Sequence, residues 1–157
     1  MKQQFTMAET AEILGIKQGV LKIWRVRDIC RYGGDGARMA YSWIEVVKMG
    51  AALSISGMGV DLKRAFKIVD HPHAHQLFAA IIVGEEWPDR GLFLTFDPES
   101  RGDIRQWMIA RFDIPQSTGF NDPVDHVVQS EGFLRVNLSV IGRRRLADIE
   151  AFLAKQG

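Results

Sequence analysis

The chain has one cysteine, Cys30, among 157 residues. That excludes an intramolecular disulfide framework and a zinc site built from cysteines, and leaves a small buried hydrophobe as the plainest role for Cys30. No run of about 18 apolar residues occurs, the minimum for a membrane-spanning helix. The opening MKQQFTMAETAEIL sets Glu9 and Glu12 where a signal peptide needs an unbroken apolar stretch, so a cytoplasmic protein is expected. An excess of either charge is also missing. With 20 Lys and Arg against 19 Asp and Glu, the formal charge is +1. No global field therefore announces nucleic acid or membrane, and any electrostatic argument has to be local. Internal repeats and low-complexity tracts are absent too.

What is present suffices for a core. A composition 46% hydrophobic over this length allows one compact domain or two small ones. Thr6-Met7-Ala8-Glu9 has the form of a capping box, which predicts a helix from about Met7, with Gly15 placed to end it in the left-handed conformation. A second helix is expected from near Lys17, with Val20, Leu21, Ile23 and Trp24 packing inward and Lys17, Gln18, Lys22 and Arg25 facing out. RYGGDG reads as a turn and ARMAYS as a short extended piece. Ser42-Trp43-Ile44-Glu45 is another capping box before a helix, and DLKRAFKIVD, after the glycine-rich SISGMGV, starts a further one.

Beyond about His71 the pattern changes. LFAAIIVG and GLFLTF predict two strands of a hairpin, with a buried helix as the alternative for the first. DPESRGDIRQWMIARF reads as a helix with Ile104, Trp107, Met108 and Phe112 on one side, GFLRVNLSVI as an alternating strand, and GRRRLADIEAFLAK as a closing amphipathic helix. The expected fold class is α+β: an N-terminal domain over residues 1–70, and a small α+β module over 76–157 for dimerisation or sensing. HPHAH is read as the linker, because Pro72 discourages helix at His71.

Helix, corner, helix, glycine turn and strand is the order of a winged helix-turn-helix. Residues 5–69 resemble the DNA-binding domain of the MerR family of transcription regulators, and more broadly the excisionase-like winged helices. The matching residues are Phe5-Thr6, the A-x-x-L-G-I corner from Ala11 to Ile16, VLKIW, and GARMAYS where the family has G-Y-R-x-Y-S. The resemblance implies double-stranded DNA as partner, Lys22 as a phosphate contact in place of the family's arginine, and Arg38 and Tyr41 as wing contacts. Lys17 and Gln18 stand where a recognition helix most easily meets base edges, and Arg25 lies on the same helix. Ala37 replaces the wing aromatic, and one extra residue separates Arg38 from Tyr41. Pro72 and strand-like runs stand where the family places its dimerising coiled coil, so that family's sensing logic is not carried over.

These expectations amount to a sequence-specific transcription regulator acting as a homodimer, with no cofactor, metal or membrane. The alternatives are an architectural protein of excisionase or phage DNA-packaging type, and an interaction adaptor whose winged helix no longer binds DNA. Each surface cation has an ordinary reading as a solvated side chain, and Tyr41 one as a core aromatic. In the second half Trp87 and Trp107 are either pocket walls or core residues. His71, His73 and His75 alternate, with His126 as a fourth nitrogen donor, but HPHAH holds no cysteine or carboxylate, so a solvated linker is expected there and not a metal site. Arg143, Arg144 and Arg145 are expected to face carboxylates or solvent. Asp97, Glu99, Asp103, Asp122, Asp125 and His126 would be acid-base groups for an enzyme, but no motif assembles them, and no enzymatic activity is expected.

Overall fold

Thr6 opens the first helix by the reciprocal bonds of a capping box: its hydroxyl accepts from the Glu9 amide at 3.3 Å, and its own amide donates to Glu9 Oε2 at 2.8 Å. The computed structural model describes residues 4–34, 39–96, 104–111 and 133–156, and among them six helices and two small antiparallel sheets form a mixed α+β fold. Strand β1 (Gln4–Thr6) leads into α1 (Met7–Leu14), which ends on Gly15 at φ +66°. The Gly15 amide donates to Glu12 O and the Ile16 amide to Ala11 O, the paired bonds of a Schellman ending, and α2 (Gln18–Val26) starts at once. Strand β2 (Ala40–Ser42) pairs with β1 so that buried Phe5 lies opposite buried Tyr41.

The second capping box, Ser42 with Glu45, starts α3 (Trp43–Ser56). Val46, Val47, Met49, Ala51, Ala52 and Ile55 are all buried, so this helix is covered on most sides. Helix α4 (Leu62–Val69) follows from the Asp61 cap and packs Ala65, Phe66, Ile68 and Val69 inward.

Three expectations need correction from here. HPHAH is not a linker and LFAAIIVG is not a strand: both lie in α5 (Pro72–Val83), capped by His71 at one end and by Gly84 at φ +73° at the other. Proline at the first helical position costs no hydrogen bond and presets φ, so Pro72 begins a helix instead of preventing one. Ala74, Leu77 and Phe78 then bury at helical spacing. The third correction concerns IRQWMIAR, which is strand β4 (Ile104–Arg111) and not a helix; Phe112 lies outside the described residues. It pairs antiparallel with β3 (Arg90–Phe96), putting Ile109 opposite Leu92.

Strand β5 (Phe133–Asn137) takes the other edge of β3, giving the order β4-β3-β5. Asn137 caps α6 (Leu138–Ala154), so the last residues of the expected strand GFLRVNLSVI are helical, and Val140 is exposed instead of alternating inward.

Helix α6 approaches two other helices closely. A Cβ at Gly50 of α3 would lie 2.5 Å from Arg145 Cδ, while Arg145 donates to Ser54 Oγ at 2.9 Å and to Asp148 at 2.8 Å. At the far end, Phe152 meets Phe5 edge-on at a centroid distance of 6.3 Å. One core therefore runs from Phe5 through α3 and α5 to Leu92 and Phe152.

Gly142 of α6 faces Phe78 and Ile81 of α5, and a Cβ there would sit 2.9 Å and 2.8 Å from their side-chain carbons. Gly142→Ala gains up to about 1 kcal/mol of helix propensity. It also forces the fully buried Phe78 ring to move, which costs about 1–3 kcal/mol. Net destabilisation, read as a lower denaturant midpoint at unchanged m-value, is the expected outcome; a rise in midpoint would show that α5 and α6 are not held this closely.

Candidate functional site

On α2 the apolar side is set by Leu21 and Trp24, both buried, and Trp24 packs edge-on against Phe66 of α4 at 5.4 Å. This packing turns Lys17, Gln18 and Lys22 outward, all exposed as expected. Lys17 is the N-cap, so its side chain leaves from the open end of the helix. Gln18 and Lys22 are four residues apart and share one stripe. Neither Lys17 nor Lys22 takes an ion pair among the described residues, and QGVLKIWRV contains no carboxylate. Ile23, expected to pack inward, is instead 49% exposed, and Val26 is 86% exposed. The outer surface of α2 is thus basic and apolar together.

Two further expected contacts are placed differently. Arg25 is half-buried, with Nη1 donating to Met39 Sδ at 3.5 Å. Tyr41 is only 3% exposed, a core aromatic, and its hydroxyl also donates to Met39 Sδ at 3.5 Å. Arg38 lies outside the described residues, but the chain on either side of it is held. The Ala40 amide donates to Gly33 O at 3.3 Å, and the Gly33 amide donates to Glu45 Oε1 at 3.1 Å. Gly33 has φ +87°, and a Cβ there would lie 2.8 Å from the Tyr41 ring, so both conformation and space require glycine.

The loop between α2 and β2 is anchored by a charged cluster. Asp70 accepts from the Tyr32 hydroxyl and from Lys48 Nζ at 2.9 Å, and that ammonium also stands 5.7 Å from the Tyr32 ring centre. Burial, reinforced by the Asp70 bond, pushes the Tyr32 hydroxyl well above the usual phenol range. Cys30 beside it is pushed up to about 12, chiefly by burial and then, against a bond from the Tyr32 backbone that lowers it, by the charges of Asp70 and Glu45.

A second basic arc had a sequence signal that pointed only to a helix. Lys63, Arg64 and Lys67 are exposed on α4, the helix whose Phe66 packs on Trp24 of α2. In DLKRAFKIVD the charged residues fall on one side of the same pattern that buries Phe66.

The His71 and His73 rings stand edge-on to each other at a centroid distance of 5.1 Å. His71 Nδ1 accepts from the His73 amide at 3.3 Å, its ring stands edge-on to Trp107 at 5.5 Å, and burial lowers its pKa; that of His75 is lowered by burial and then by Lys48. No group of three or more His, Cys, Asp or Glu side chains among the described residues is arranged to hold a metal ion. His126 and the carboxylates Asp97, Glu99, Asp103, Asp122 and Asp125 lie outside the described residues. Arg143 and Arg145 pair with Asp89 and Asp148. No helix among the described residues is long and apolar enough to cross a membrane.

No protein-family model matches the chain, and no curated protein gives a significant match.

Cys30 and Tyr32 both ionise later in the folded chain than in the unfolded one, so the folded chain binds more protons at high pH. Their contribution to stability is complete below the ordinary thiol value of 9.0 and is lost as pH rises toward 12. Denaturation midpoints measured across that window should fall, and Cys30→Ala should flatten the fall. The native thiol should also alkylate roughly 30-fold or more slowly than in denaturant, since about a thousand-fold loss of thiolate is only partly offset by its higher nucleophilicity. Equal rates would place Cys30 in water.

Proposed function

We propose that the protein is a sequence-specific, double-stranded DNA-binding transcription regulator that acts as a homodimer, using residues 5–69 as a MerR-like winged helix-turn-helix. The observation that carries this reading is the outer surface of α2. Lys17, Gln18 and Lys22 are exposed and free of carboxylate partners on a helix fixed by the Gly15 corner and the Trp24–Phe66 contact. A helix of this length fits the major groove, where glutamine matches adenine and lysine matches guanine or phosphate.

Gly33 and Ala40 are held by hydrogen bonds on either side of the stretch that carries Arg38, a residue whose guanidinium suits a backbone phosphate beside the groove. Tyr41 contributes by filling the core against Gly33. Arg25 steadies the end of that stretch through Met39. With a formal charge of +1, one subunit makes few phosphate contacts, and pairing two on adjacent half-sites supplies affinity and spacing.

A second reading has its own support. Ile23 and Val26 are exposed on the face that would enter the groove. An isoleucine there suits a thymine methyl, but both residues also suit an apolar partner protein, as in an adaptor that no longer binds DNA.

Selection of bound genomic fragments, followed by titration of the winner and a scrambled control at two salt concentrations, separates these readings. The proposed regulator prefers the selected site strongly, and its half-site spacing reports the dimer. An architectural protein binds both equally with strong salt dependence, and an adaptor binds neither. Lys22→Ala should weaken binding to most sequences and reduce the salt slope by about 1, whereas Gln18→Ala should change the preferred sequence. Unchanged affinity in a folded Lys22→Ala, Arg38→Ala double variant would sink the proposed docking.

A further inference from the structure

Gly19 lies in the first turn of α2 on a backbone that any residue can adopt, and a Cβ built there meets nothing within 4 Å. Gly33, Gly50 and Gly142 differ, since a Cβ at each would stand 2.8, 2.5 and 2.8 Å from its nearest neighbour. Neither conformation nor packing thus requires glycine at position 19, and alanine there would favour the helix. A glycine in such a place serves the close approach of something from outside.

Ile23 stands one turn further along the same side. Residues four apart are neighbours on a helix surface, and helical side chains lean toward the N-terminus, so Ile23 leans toward the gap that Gly19 leaves. Ile23 is 49% exposed and Val26 86%, two of the five exposed large hydrophobics among the described residues. Gln18 and Lys22 form the adjoining stripe. The gap is a notch with an apolar wall and a polar rim.

Charge selects its occupant. Lys17 and Lys22 take no ion pair among the described residues, and α2 holds no carboxylate. A polyanion gains from both ammoniums, whereas an apolar protein surface gains from neither.

We infer that the notch at Gly19 and Ile23 seats the C5-methyl group of a thymine in the major groove, which makes Ile23 a specificity-determining residue. The inference rests on the proposed docking of α2 on duplex DNA and adds which base the helix reads. That methyl is the apolar group a base pair offers in the major groove, and Gln18 beside the notch matches adenine. A side chain at position 19 would take the space of the methyl.

The test uses the full chain and the DNA site recovered by selection, with its thymidines replaced one at a time by deoxyuridine. This removes the methyl and leaves every hydrogen bond of the base in place. At one position in each half-site binding should weaken about fourfold, as for one methyl group returned to water. The factor should be the same at both salt concentrations, since no phosphate contact is lost. Ile23→Ala, at an exposed position, should bind the two sites alike. Gly19→Ala should raise the denaturant midpoint yet bind the thymine site less tightly than the uracil site. A 5-methylcytosine paired with guanine at that position keeps the methyl, loses the adenine, and should bind more weakly than thymine.

Equal affinity for thymine and uracil at every position, discrimination that survives Ile23→Ala, or 5-methylcytosine bound as tightly as thymine would overturn the inference and leave the DNA-binding reading standing. A fall in the Gly19→Ala midpoint would overturn it as well, by showing that the fold itself requires the glycine. A chain that binds no DNA overturns both.

Discussion

A buried ammonium has to be met by an anion, and that requirement at Lys48 organises the N-terminal half. Lys48 lies on α3 with 8% of its surface exposed, between the buried Val47 and Met49. Leaving its charge unpaired there would cost several kcal/mol, so the chain must return a carboxylate to that spot. Asp70 does so from the junction of α4 and α5. It sits where the C-terminal end of α4 disfavours an anion, and the lysine offsets that repulsion. Because the same carboxylate accepts from Tyr32, the α2–β2 loop is tied to the point that joins α3, α4 and α5.

From that point the attitude of α2 follows. Phe66 is packed edge-on by Trp24 at 5.4 Å and by Tyr32 at 5.8 Å, so the end of α2 and the loop after it grip one ring. Glu45 adds a constraint from the start of α3, capping that helix through Ser42 while holding the Gly33 amide. Helix α6 then lies across α3 and α5 through Gly50 and Gly142, two positions where the absence of a side chain permits the contact. It lines a cavity at Arg143, Leu146 and Glu150 and reaches Phe5 at its other end, so one rigid rod connects the two halves.

Much of the first half was legible because its signals are local. Both capping boxes, the Gly15 corner and the start of a helix in DLKRAFKIVD depend on residues close to each other in the chain, and all are present. The errors fall where distant partners decide. LFAAIIV is apolar on every side, so periodicity cannot separate a strand from a buried helix, and the proline before it marks a start as readily as a stop. In IRQWMIAR the helical spacing of Ile104, Trp107 and Met108 competes with the alternation of Trp107 and Ile109, and pairing to β3 settles it. The site divides the same way. Lys17, Gln18 and Lys22 could be read as outward because Leu21 and Trp24 fix the inner face of their own helix. Arg25 and Tyr41 could not be placed, because both turn toward Met39, which lies across the glycine turn.

The formal charge of +1 conceals a separation that bears on how partners approach. Exposed Lys17 and Lys22 on α2, with Lys63 and Lys67 on the α4 helix packed against it, make one surface basic. Glu85, Glu86, Asp89 and Glu150, which line the cavity with Arg143, make another acidic, on elements that carry none of those lysines. Fields of a few charges extend about 8–10 Å at physiological salt, so each group of charges acts chiefly on what comes close to it. On the proposed docking, a polyanion is drawn to the lysines of α2. A nearly neutral total is therefore what two opposite surfaces on one small chain produce, and it says little about either of them.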